Sequence, residues 1–132
     1  MKETFIDTNY FVRLITKDDD GQLQHVISLF KEIEDRKQIG LVSILVINEL
    51  IWILQNYYEF KRKEFIPQIV RLISLENIKI IEISKSQLFK ILENSLVKNL
   101  DFTDLYLLHI GKGRSISTFD KDILKLSSIA KK

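Results

Sequence analysis

The chain has 132 residues, of which 45% are apolar and 29% charged, a length and composition that fit one globular domain with a sizeable core rather than a disordered or fibrous protein. It has no cysteine and two histidines, which removes disulfides and thiolate chemistry, fits a reducing compartment and argues against a zinc centre; the net charge of +2 is too small to make a nucleic-acid binder by itself. No apolar run approaches the roughly 20 residues that cross a bilayer, and the start lacks a basic-then-apolar secretory pattern, so the expected location is the cytoplasm, with no membrane partner.

Short apolar runs alternate with segments of helical period, which predicts βα units around a mostly parallel sheet. "KETFI" reads as the first strand and "TNYFVRLIT" as a short helix, and "KDDDG" breaks the pattern with Gly21 placed for a turn. From Gln22 to Lys37 the apolar residues Leu23, Val26, Ile27, Phe30 and Ile33 recur at three and four, giving a one-sided helix. "IGLVS" is the second strand. "ILVINELIWILQNYY" is too apolar for a surface helix and reads as a buried central one. In "KEFIPQIVRLISL", Pro67 requires a helix that begins near Lys63 or Glu64, where first-turn amides have no partner. "IKIIEI" is a third strand, "SKSQLFKILENSLVKNL" a helix with a Ser cap, and "DFTDLYLLHIGKG" a helix stopped by glycines. "RSISTF" is a fourth strand, and "DKDILKL" a short last helix. The whole reads as a single compact unit.

Two runs mislead. With Gly21 as the sixth residue of a calcium loop, Thr16 and Ile27 fall where acids are needed, so Asp18, Asp19 and Asp20 read as a solvated loop. "GKGRS" lacks the third glycine of a dinucleotide site and precedes a strand instead of following one. His25 lies in an amphipathic stretch and His109 in an apolar one, without ligand spacing, and both read as structural.

Several acids fit their surroundings poorly. Glu49 has Leu45, Val46, Trp52 and Ile53 as its helical neighbours, a setting in which a carboxylate must be paired, protonated or bound to a cation. Asp101 suits a helix cap, but Asp104, one turn before Leu107 and Leu108, is turned toward the core. Asp7 and Asp120 each close an apolar strand, and Asp122 follows. Carboxyl ends of parallel strands, and the helices that start there, share one sheet edge. Acids gathered at that edge would repel one another unless a hard cation such as Mg²⁺ or Mn²⁺ neutralised them, and such a site can activate water against a phosphodiester.

These residues resemble the PIN-domain ribonucleases, especially the VapC toxins of VapBC toxin–antitoxin pairs. The similar segments are "FIDTNYFVRL", "INELIWIL", "DFTDLYLLHIG" and "ISTFDKDILKL", in the family's order along nearly the whole chain. The resemblance implies a three-layer α/β/α sandwich with a central parallel sheet, and a metal-dependent endoribonuclease. Asp7, Glu49, Asp104 and Asp120 would be its Mg²⁺- or Mn²⁺-binding acids, with Asp101 and Asp122 as outer members. Thr8 and Thr118 would orient ligands or waters, and Asn9 stands where small polar residues are usual. Inhibition by a small antitoxin protein and assembly as a homodimer are implied too. The chain departs from many relatives in having "LYLLHIG" where they carry alanines, which changes the helix packing or the dimer contact, and "SSIAKK" is short for a final strand. Arg13 and Lys121 border the expected site but read as surface charge; Lys112 and Arg114 lie at the sheet's other end. A PIN domain that binds RNA or protein without cutting is the alternative. An aspartyl-phosphate phosphatase would need an acid where Asn9 stands.

Overall fold

Three short strands run parallel in the order β1 (Glu3–Phe5), β2 (Ile39–Val42) and β3 (Ile78–Ile80), and each is followed by helix. This is a computed structural model that describes residues 1–126 and the backbone of a strand at 130–131. The chain divides into two compact units, Met1–Phe89 and Lys90–Lys132. With seven α-helices, α1 to α7, among the described residues, it has the helix-rich α/β character that the alternating pattern predicts.

In the first unit, β1 leads into α1 (Thr8–Thr16) and α2 (Asp20–Glu34), which pack together through Phe11 and Phe30, their rings edge to face at 5.5 Å. The centre of the sheet is Gly40, paired with Thr4 on one side and Ile78 on the other. A Cβ built there would stand 2.7 Å from Ile6 Cδ1, 2.8 Å from Ile78 Cδ1 and 2.9 Å from Ile33 Cδ1, so three core isoleucines fill the place where a side chain would go. At the carboxyl end of the sheet, α3 (Ile44–Trp52) is capped twice: Ser43 Oγ accepts from Leu45 N at 3.1 Å, and Glu82, just past β3, accepts from Ile44 N at 2.8 Å and from Ser43 Oγ at 2.6 Å. That carboxylate ties the ends of two adjacent strands and offsets the positive end of the helix.

The segment expected to be one buried helix is α3 followed by a π-helical turn, Ile53–Tyr57, in which Tyr58 N donates to Ile53 O at 3.1 Å. One side is core, with Ile47, Leu50, Ile51 and Leu54 buried; the other is open, with Leu45 75% and Trp52 62% exposed. Next, α4 runs from Arg62 to Ile73. It starts before the predicted point because Glu64 Oε1 accepts from Lys61 N at 3.1 Å and fixes the entry. Pro67 is therefore inside the helix, on its exposed side, where water can take the carbonyl that loses its amide partner. Helix α2 also begins earlier than predicted, because Asp19 Oδ1 caps Gln22 N at 3.0 Å; Gly21 is helical, not a turn. The Ser cap of α5 (Lys85–Val97) is as expected, with Ser84 Oγ accepting from Gln87 N and Gln87 Oε1 from Ser84 N.

The second unit contains α6 (Phe102–Ile110), β4 (Ile116–Ser117), α7 (Lys121–Leu126) and β5 (Ala130–Lys131), with Leu100, Phe102, Leu105, Ile116 and Ile123 buried. Strand β4 is shorter than "RSISTF" suggests and pairs in parallel with β5 rather than extending the three-stranded sheet. The remainder of the tail segment "SSIAKK" lies outside the described residues. Of the two stop glycines, only Gly113 has a positive φ, +78°; Gly111 is needed for space, since a Cβ there would come within 2.7 Å of Ile116 Cδ1.

Gly40→Ala should destabilise the protein by about 1–3 kcal/mol, the usual effect of overpacking a filled core, with unchanged m-value in urea unfolding.

Candidate functional site

The acids singled out in the sequence fall in both units. Asp7 leaves the carboxyl end of the sheet, where Ile6 N still donates to Leu41 O at 2.9 Å, and occupies the N-cap position of α1. Its exposed carboxylate makes no capping hydrogen bond and has no cation partner among the described residues. Capping therefore does not account for Asp7, although it does account for Asp19. Thr8 is buried at the first position of α1, and Asn9 is exposed beside it. Glu49 lies on α3, which packs against α1. The apolar face predicted to desolvate Glu49 is open to water: Leu45 and Trp52, on either side of it, are largely exposed, and so is the carboxylate. Glu49 stays open to water because a helical neighbour shields a carboxylate only if it is itself covered.

In the second unit the acids are electrostatically coupled. Asp104 is half-buried in the first turn of α6, and its carboxyl is held above the usual carboxylate range, first by burial and then by the negative charge of Asp120, Asp101 and Asp122. A helix N-terminus favours the anion, so burial and like charge outweigh the dipole at this position. Asp101 is the N-cap residue of α6, yet like Asp7 it makes no capping hydrogen bond through its side chain. Asp120 does cap: its Oδ1 accepts from Asp122 N at 2.8 Å and Ile123 N at 3.1 Å, while its own amide donates to Thr118 Oγ1 at 3.0 Å. Thr118 thus sets the backbone that carries Asp120. No three acids or histidines stand in a metal-holding arrangement among the described residues.

His109 is half-buried in α6, with its pKa lowered by burial and then by Lys112 and Lys90, as suits a structural histidine. His25 is exposed on α2 and lines a cleft of about 320 Å³ beside Asp7. Arg13 reaches the same cleft. Rather than standing free for a phosphate, it is hydrogen-bonded to Asp18 Oδ1 at 3.0 Å and to Gln22 Oε1 at 2.7 Å. Asp18 also accepts from Tyr58 Oη at 2.6 Å and Thr16 Oγ1 at 2.9 Å, and these hydrogen bonds, with Arg13, hold its carboxyl below the usual range. The loop read as merely solvated is a hydrogen-bonded hub. Neither the cleft nor the place of Glu82 was legible in the sequence. Glu82 gave a signal, an acid near the end of the apolar run "IKIIEI"; the cleft, made where two helices meet, gave none.

Comparison with protein-family models matches residues 4–129 to the PIN domain. The chain belongs to the PIN domain family. The match runs through both units and contains all four quoted segments. A search of curated proteins and a search of solved structures returned no match. PIN domains have a nuclease-type fold and typically bind divalent metals, consistent with nucleic-acid substrates. No helix is long and apolar enough to cross a membrane among the described residues.

Because Asp104 keeps its proton to higher pH folded than unfolded, its share of stability is fully present below the unfolded pKa and is lost as pH rises through the folded one. In chelator, Asp104→Asn should therefore raise the Tm by a few degrees at neutral pH, and the gain should vanish in acid below the ordinary carboxylate range.

Proposed function

We propose that this PIN domain is a Mg²⁺- or Mn²⁺-dependent endoribonuclease that hydrolyses RNA phosphodiester bonds, and that it is the cytoplasmic toxin of a type II toxin–antitoxin pair. The observation that carries the reading is the state of its acids: Asp7 and Asp101 stand at N-cap positions without capping, and Asp104 is crowded by three other carboxylates. An acid at an N-cap position normally takes the cap bond, and a half-buried carboxyl normally has a partner instead of like charges beside it.

By the family's motif order, Asp7, Glu49, Asp104 and Asp120 would be the metal ligands, with Asp101 and Asp122 adding negative charge near Asp104. The donor set is carboxylate oxygen throughout, which fits a hard divalent cation and relieves the repulsion that raises the Asp104 pKa. When bound, such a cation supplies Lewis acidity toward a phosphoryl oxygen and lowers the pKa of coordinated water. The protein contributes placement. Thr118 and the amides of Asp122 and Ile123 hold Asp120 in one orientation, leaving one carboxylate oxygen outside these bonds. Thr8, buried next to Asp7, would orient ligands or waters there, with Asn9 exposed beside it, and no side chain is required as a covalent nucleophile. The exposed apolar residues Leu45, Trp52 and Tyr57 support a partner surface, for a small antitoxin or a second copy in a homodimer.

The purified protein should cut single-stranded RNA with Mg²⁺ or Mn²⁺ and be silent in chelator. Asp7→Asn and Asp104→Asn, shown to be folded by circular dichroism, should lose at least about 100-fold in rate. Cleavage in chelator, or a fully active Asp7→Asn protein, would reject the mechanism. RNA binding that persists without any cleavage would favour a non-catalytic PIN domain.

A further inference from the structure

The cleft beside Asp7 is formed within the first unit by one face of α1 and one face of α2. Its volume, about 320 Å³, is at the lower end of the range for ligand sites, and its polar groups stand in a mainly apolar lining over a buried floor, Val26. Three features restrict what it can hold. First, its one guanidinium is neutralised, because Arg13 is ion-paired with Asp18. With the Asp7 carboxylate at the rim, the cleft repels a phosphate and favours an uncharged group. Second, Arg13 can only donate, so the Gln22 oxygen must face Arg13 Nε and the Gln22 Nε2 amide is aimed away, with no partner among the described residues. Third, Tyr10 is half-buried in the same wall and brings an aromatic ring to it, while Asn9 and His25 add hydrogen-bonding groups without a protein partner among the described residues. A flat, neutral ligand with a carbonyl acceptor satisfies all three.

We infer that this cleft is a nucleobase subsite, in which one unpaired base of the RNA strand stacks on Tyr10 and accepts a hydrogen bond from Gln22 Nε2. The inference rests on the reading of the chain as an RNA-cutting PIN domain and adds to it a place for one base of the strand beside Asp7. Uracil, cytosine and guanine offer Gln22 a carbonyl oxygen and adenine offers a ring nitrogen, so the contact holds a base without choosing among the four.

The test is a titration of ¹⁵N-labelled protein in chelator with uridine, cytidine, adenosine or inorganic phosphate, followed by NMR. Uridine, cytidine and adenosine should each shift the side-chain amides of Asn9 and Gln22, and phosphate should leave the cleft unmoved. Gln22→Glu keeps the oxygen that accepts from Arg13 and removes the donor, so it should lose about tenfold in uridine affinity while remaining folded. Tyr10→Leu should lose a similar factor and Tyr10→Phe should retain binding. Uridine shifts confined to other surfaces, or a Gln22→Glu protein that binds uridine like the parent, would overturn the subsite. Because no cleavage is involved, the result stands apart from the nuclease assay: RNA cutting with an empty cleft sinks only the subsite, and nucleoside binding without metal-dependent cutting sinks only the nuclease.

Discussion

The geometry of the first unit depends on how closely β2 is sandwiched in the core. Gly40 lets Ile6, Ile33 and Ile78 close over the middle strand, and the parallel pairing on either side then carries the ends of β1, β2 and β3 to one edge. From that edge come Asp7, the Ser43 cap and Glu82. A three-stranded sheet has little area of its own, so its neighbours hold it in place: Gln38, nearly buried, accepts from Thr4 Oγ1 at 2.7 Å and donates to Glu32, while its backbone oxygen takes Asn77 Nδ2 at 3.1 Å. Side-chain bonds of this kind fix strand register where few ladder bonds are available.

Helix caps divide the acids and serines into two groups. Six helices begin at an acid or a serine. At Asp19, Ser43, Ser84 and Asp120 the side chain takes the cap bond; at Asp7 and Asp101 it does not. A carboxylate that forgoes a bond worth about 1 kcal/mol is either solvated or reserved for another ligand. At Asp104 the surroundings add to the argument, because burial and three nearby carboxylates disfavour its charge.

Much of this was legible from residue order. The strand–helix alternation, the Ser84 cap and the acids closing apolar strands were read from local pattern, and the family match runs through the same segments. What failed depends on partners distant in sequence. Glu49 looked buried because its helical neighbours are apolar, but apolar neighbours on an open face bury nothing. Arg13 looked free because the acid it meets belonged to a loop read as solvent. Helix starts moved by one to two residues where Glu64 or Asp19 supplied a cap that propensity does not reveal. The cleft required knowing which faces of α1 and α2 meet, and periodicity gives the face without its partner.

The single wide turn after α3 has a reach beyond its five residues. A π turn adds one residue to the helical count, and so rotates everything after it by about 100° relative to a continuous α-helix. That rotation leaves Tyr57 outside and brings the Tyr58 hydroxyl onto Asp18, the group that holds Arg13 away from solvent phosphates. The charge seen by anything entering beside Asp7 is thus tuned by chain length at a position some forty residues away, a kind of control that swapping one amino acid for another cannot imitate.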